Sequence, residues 1–193
     1  MLAKHHLRDR FEALNGAPLV GATASLLEKN FVPTGTVLVR RDALRAVGGF
    51  NQALRYGEDL ELWVKIAARF PITCLARVHM LRRRHSDNAT ENALPMLEGL
   101  VDVSRSIRDW DAETLRSQGT DPDRLVADSL WQLAYWHFNA RKFRTARNFF
   151  ATSLREKSSA RALGYWLACS LPASCIDKGR RFKQFFGGPE VSR

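Results

Sequence analysis

Two adjacent carboxylates, Glu58 and Asp59, follow Gly57 and open a stretch with helical spacing, Leu60 to Arg69. A carboxylate anchored in the first turn of a helix is rigid enough to accept a proton from a hydroxyl group. The same position also suits an acid that only complements the positive end of the helix dipole. Neighbouring residues bear on the choice. Gly48-Gly49 allows a sharp turn that a side chain would block, and it delivers Phe50 to the loop ahead of the acids. Trp63 lies one turn beyond Asp59, placed either to stack on a ring or to fill a core. Downstream, Arg82-Arg83-Arg84-His85 concentrates donors and positive charge where an anion would be stabilised, or forms a solvated basic loop.

The elements needed to position these groups follow from patterning. Leu2, His6, Leu7, Phe11 and Leu14 have helical spacing, and a second short helix fits Ala24 to Lys29. Phe31 to Val39 is β-branched and apolar, which predicts a buried strand disturbed at Pro33-Thr34-Gly35. Asp42 is a fitting N-cap for a helix over Ala43 to Val47. The next helix buries Leu60, Val64 and Ala67, with Trp63 and Ile66, and Pro71 ends it. Ile72 to Leu81 alternates loosely and predicts strand. Thr90 suits the cap of a helix from Glu91 to about Arg108. Its sequon, Asn88-Ala89-Thr90, is read as that cap and not as a glycosylation site.

The order Thr-Gly-Thr, Arg-Arg, Gly-Gly-Phe, Gly-Glu-Asp, Leu-x-Leu-Trp and Arg-x-Arg-His resembles the acceptor half of family 2 glycosyltransferases of the GT-A type. Phe50 and Glu58 stand eight residues apart, within the spacing at which that family's Gly-Gly-Phe turn and Glu-Asp pair recur. The resemblance is specific over 31–85 and looser over 1–30, and it covers about half of such a catalytic domain. It implies an α/β fold: a partial GT-A domain with an incomplete mixed sheet over 1–90. A linking helix over 91–118 would follow, then an all-α extension over 119–171 and a basic tail over 172–193.

The implied activity is inverting transfer of a sugar from a nucleotide-sugar donor to a glycan or lipid-linked acceptor. Asp59 would be the general base and Glu58 would orient the acceptor or the base. Thr34, Gly49, Phe50 and Trp63 would line the substrate site. Arg84 and His85 would face the diphosphate, with His85 a candidate ligand for the divalent Mn or Mg ion of the complete enzyme. The family's metal-binding Asp-x-Asp ends a strand upstream of these motifs. Asp109-Trp110-Asp111 and Asp121-Pro122-Asp123 lie downstream, read as a helix end and a helix cap. The nucleotide-binding half is therefore expected as a missing partner, without which the chain would be inactive. A rival reading is a non-catalytic module whose helical tail binds a protein or a membrane.

Composition narrows the classes. The 193 residues are 45% apolar and carry +10 net charge. Residues 1–118 contribute +3 and residues 119–193 contribute +7, so the excess lies away from the motif-bearing region. No zinc, helix-turn-helix or RNP-type motif accompanies it, which argues against nucleic acid. Lys178 to Lys183 with Phe182, Phe185 and Phe186 suits an anionic membrane surface. No signal peptide or membrane-spanning run is expected, which points to a cytoplasmic protein; the basic tail either puts it at the inner face of the plasma membrane or is only a disordered basic segment. Cys74, Cys169 and Cys175 lack metal-ligand or redox spacing and read as reduced thiols. In the tail, Leu133, Ala134, Phe143, Ala146, Phe150 and Leu154 have the spacing of one tetratricopeptide-like helix pair.

Overall fold

The computed structural model describes residues 12, 14, 16–75, 77–81, 93–172 and 176. Among them the helices are α1 (Ala22–Glu28), α2 (Arg41–Ala46), α3 (Glu58–Arg69), α4 (Ala93–Ser117), α5 (Pro122–Asn139), α6 (Phe143–Glu156) and α7 (Ala160–Ala168). The chain divides into two compact units, Met1–Val126 and Ala127–Arg193.

The expected α/β architecture is not what forms. The described residues hold no sheet, only one isolated antiparallel bridge between Pro18 and Thr73, where Leu19 N–H donates to the Ile72 carbonyl at 2.8 Å. The predicted strand over Phe31 to Val39 does not form. Pro33 has no N–H to give a ladder, and the chain closes on itself in a 3-10 turn, Thr34–Thr36. There the Thr36 N–H (2.9 Å) and hydroxyl (2.8 Å) both donate to the Pro33 carbonyl. Val37 and Val39 pack on the core, while Leu38 between them is fully exposed. The run thus keeps the alternation of a strand outside any sheet among the described residues. Around the Thr73 bridge, Leu75, Val78 and Leu81 likewise point to solvent.

In the first unit α3 is central. It packs against α1 and α4, and Leu26, Leu62, Val64, Val103, Ile107 and Leu115 form the buried heart of the cluster. Its start depends on two glycines. Gly57 has φ +75°, and a Cβ there would lie 2.8 Å from Val103 Cγ2. Gly99 on α4 meets the same loop, where an added Cβ would sit 2.6 Å from Tyr56 Cβ. Helix α4 therefore lies directly against the loop that feeds α3. It also runs beyond the expected Arg108. Asp111 leaves helical geometry (φ −165°, ψ 77°) and restarts the helix as an internal cap. It accepts from the Thr114 N–H at 3.0 Å and the Thr114 hydroxyl at 2.7 Å.

The second unit combines residues of α5 from Ala127 onward with α6 and α7. Ala134, Phe138, Ala146 and Phe150 are its buried core. Its α5–α6 turn closes through Lys142 N–H donating to the His137 carbonyl at 2.9 Å, with Arg141 at φ +61°. Ser153 Oγ, buried, donates to the Ala127 carbonyl at 2.7 Å.

Gly57 carries both a left-handed backbone and a close approach, so Gly57→Ala is expected to cost about 2–3 kcal/mol. Urea unfolding measures this, and a loss below ~0.5 kcal/mol would show that the loop tolerates displacement.

Candidate functional site

The site is built around the first turn of α3. With Gly57 in the left-handed region as N-cap, the Glu61 N–H donates to the Gly57 carbonyl at 3.0 Å. Glu58 and Asp59 are half-buried. Asp59 Oδ1 accepts from the Leu60 N–H at 2.7 Å. Its other oxygen, Oδ2, accepts from Asn30 Nδ2 at 3.3 Å. Asn30 is itself oriented, because its Oδ1 accepts from the Val32 N–H at 3.2 Å. One carboxylate oxygen is thus tied to its own helix and the other to the segment after α1. Sequence reasoning missed Asn30. The available signal was an Asx-type residue immediately before an extended apolar run.

The loop before α3 is shaped at Gly48 and Gly49, both left-handed with φ +86° and +70°. Gly49 N–H reaches back to the Leu44 carbonyl at 3.0 Å, closing α2 in a Schellman arrangement. This brings Phe50 edge-on to Trp63, with ring centroids 6.1 Å apart and planes at 74°. Phe50 is 40% exposed, whereas Trp63 is buried at 5%. Phe50 therefore offers the accessible ring and Trp63 supports it from the core. The Trp63 indole Nε1 has no hydrogen-bond partner among the described residues.

Beneath that loop lies a cluster absent from the sequence reading. Glu61 is fully buried and Lys65 nearly so. Lys65 Nζ stands 2.8 Å from Glu61 Oε1. The same oxygen accepts from Asn51 Nδ2 at 3.2 Å and closely from the Ser106 hydroxyl. Asn51 Nδ2 also reaches Ser106 Oγ at 3.1 Å. The group joins α3, the Phe50 loop and α4 through one carboxylate. Asn51 Oδ1 meanwhile accepts from the Ala53 N–H at 3.0 Å, folding the loop locally. Lys65 and Arg69 lie over the Trp110 ring at 5.7 and 4.6 Å from its centroid. The sequence signal was a Glu-Lys pair at i,i+4, a spacing that usually marks a solvated face.

No family model, curated protein or solved structure matches the chain. The residues themselves must carry the reading. Gly49, Phe50, Glu58, Asp59 and Trp63 belong to one loop-helix unit bound by the contacts above. Thr34 lies exposed on the 3-10 turn, where Gly35 approaches Met80 Sδ. Arg82, Arg83, Arg84 and His85 lie outside the described residues, as do Cys175 and the Lys178 to Lys183 stretch.

The two Asp-x-Asp sequences do not fit a metal ion. Asp109 pairs with Arg108 at 3.0 Å and Asp123 with Arg116 at 3.4 Å. Asp121 Oδ1 caps α5, accepting from the Asp123 and Arg124 N–H groups at 3.1 and 3.0 Å. Asp111 caps its half-helix and meets Arg69 at 3.0 Å. The Thr114 hydrogen bonds, then Arg69, hold the Asp111 carboxyl below the usual carboxylate range. Among the described residues no group of three or more His, Cys, Asp or Glu gathers to hold an ion. Burial pushes the Cys169 thiol up, against a smaller opposing effect of Arg147. Among the described residues, no helix is long and apolar enough to cross a membrane.

Removing Glu61 strands Lys65 as a buried cation. Glu61→Ala is therefore expected to cost about 3–5 kcal/mol in urea unfolding. The double variant Glu61→Leu/Lys65→Met should recover most of that loss. A Glu61→Ala loss under ~1 kcal/mol would mean the pair is solvated.

Proposed function

We propose that this chain carries the acceptor-side residues of an inverting glycosyltransferase, with Asp59 as general base. The observation that carries the reading is the tethering of Asp59. Its carboxylate sits at the start of α3, held by the Leu60 N–H and by Asn30, on the helix that also supports the Phe50–Trp63 pair. Proton abstraction in a transition state demands a base held within tenths of an ångström of its place. A carboxylate kept only for the helix dipole needs no such second tether.

In this reading the acceptor hydroxyl lies against Asp59, with the exposed Phe50 ring packing on the sugar's apolar face. As the oxygen attacks the donor's anomeric carbon, its proton passes to an Asp59 oxygen. The bond from that carbon to the nucleoside diphosphate breaks on the opposite side, inverting the centre. Glu58, one residue earlier on the same turn, orients the acceptor. Arg84 and His85 would meet the departing diphosphate, and Thr34 and Gly49 would line the pocket.

The donor nucleotide and its divalent ion, Mn or Mg, belong in this reading to a separate nucleotide-binding half, and no step here runs through the ion. The solvent-facing Leu38, Val78 and Leu81 are the surface assigned to that half. Work on lipid-linked acceptors would place the protein in the cytoplasm, at the inner face of the plasma membrane.

The test is turnover of nucleotide sugars by the chain together with a supplied nucleotide-binding half. Asp59→Asn is expected to lower kcat by roughly 10²–10⁴-fold with the fold intact. Glu58→Gln should act more on KM than on kcat. Wild-type turnover by Asp59→Asn would remove Asp59 from the chemistry.

A further inference from the structure

Helix α7 presents two unlike sides. Ser159 Oγ caps it, accepting from the Ala162 N–H at 3.4 Å. Its inner side is spent on the core. Ala162 is fully buried, and the Tyr165 ring stacks on Phe150 at 5.5 Å and meets Trp131 edge-on at 5.8 Å. Its outer side is apolar and uncovered among the described residues. Leu163 and Leu167 are each about half exposed (46% and 53%), four residues apart on one face of the helix, and Leu171, just past its end, is exposed as well (54%). Beside the stripe, Gly164 faces open space at the floor of an open groove of about 310 Å³.

The charge around this stripe is mostly positive, with Asp128 3.5 Å from Arg161 and Glu156 at the end of α6 as the acids there. Arg161 is the one charged residue within α7. Arg144, Arg147 and Arg155 on α6, with Lys157 in the connection, are exposed. Arg147 lies over the Trp166 ring at 4.8 Å, so a cation and a half-buried indole sit together at the edge of the apolar stripe. Residues 127–193 carry twelve Lys and Arg against four Asp and Glu.

We propose that the outer face of α7 is a membrane-docking surface that inserts its leucine stripe into the interfacial region of an anionic bilayer. Charge decides the occupant. A second copy would bring the same excess of cations to the contact, whereas anionic headgroups complement it. Nine residues of helix span about 14 Å, far short of a bilayer core, so α7 lies along the surface. The leucines would sink to the acyl boundary, Trp166 would sit at headgroup depth, and the arginines would meet lipid phosphates. Nothing in this requires the sugar-transfer reading, and the test reads lipid binding alone.

The experiment is co-sedimentation of the full chain with vesicles of phosphatidylcholine, and of phosphatidylcholine with about one-third phosphatidylglycerol. The chain is expected to bind the anionic vesicles at least roughly tenfold more tightly, with affinity falling as salt rises. Leu163→Ser/Leu167→Ser should lose roughly tenfold on anionic vesicles. Both side chains are exposed, so the variant should keep the wild-type circular dichroism and hydrodynamic size. Anionic-vesicle binding by the variant equal to wild type would overturn the proposal, because charge elsewhere would then suffice. So would the absence of wild-type binding, or a wild-type dimer that the substitutions dissolve.

Discussion

One buried carboxylate organises the first unit. Glu61 is held without exposure to water, and its Oε1 collects Lys65, Asn51 and Ser106. A buried charge is tolerable only when its partners are in place. The three segments that supply them, α3, the loop after α2 and α4, must therefore come together as a set. The glycines complete the arrangement. Gly57 and Gly99 remove the side chains that would hold the loop and α4 apart. Hydrophobic burial supplies most of the driving force for this packing, but apolar contacts alone are tolerant of small shifts. A shared hydrogen-bonded charge sets the register of α3 against its neighbours.

This constraint reaches the candidate site through short paths. Asn51 immediately follows Phe50, and Glu61 lies two residues beyond Asp59 on the same helix. The clamp thus fixes the loop that presents the exposed ring and the helix that presents the carboxylate. Asn30 adds a tether from a different segment, so Asp59 is approached from both sides. The second unit is built differently. Its interior is aromatic, with Trp131, Tyr135, Phe138, Phe150 and Tyr165 in mutual ring contact. That arrangement anchors α7 by one side, while Leu163 and Leu167 on the other side are exposed among the described residues.

Features set by a few adjacent residues were legible in the sequence. The Gly48-Gly49 stop, the helix opened by Gly57-Glu58-Asp59 and the Asp121 cap depend on local backbone chemistry, and the structure has each of them. Strand expectations failed because a strand is not a local object. Phe31 to Val39 has the right residue types, yet it joins no sheet among the described residues, and Pro33 helps turn it inward instead. The clamp was hidden for a related reason. Glu61 and Lys65 read as a polar face by periodicity, and their burial follows from α4 and the Asn51 loop, which lie 45 and 10 residues away in sequence. The same limit applies to α4, whose continuation past Arg108 rests on Asp111 capping Thr114 within an otherwise unbroken helical pattern.

The central claim is that the Glu61 clamp holds the Phe50 loop against the helix bearing Asp59. Amide hydrogen exchange of Glu61→Gln against wild type tests it most directly. The account predicts faster exchange, by roughly tenfold or more, at Ala53 and Leu54, whose N–H groups bond to Asn51. Ala146 and Leu163 in the second unit should be unchanged. Unaltered protection at Ala53 and Leu54 would contradict the account, since the loop would then be held by something other than the buried carboxylate.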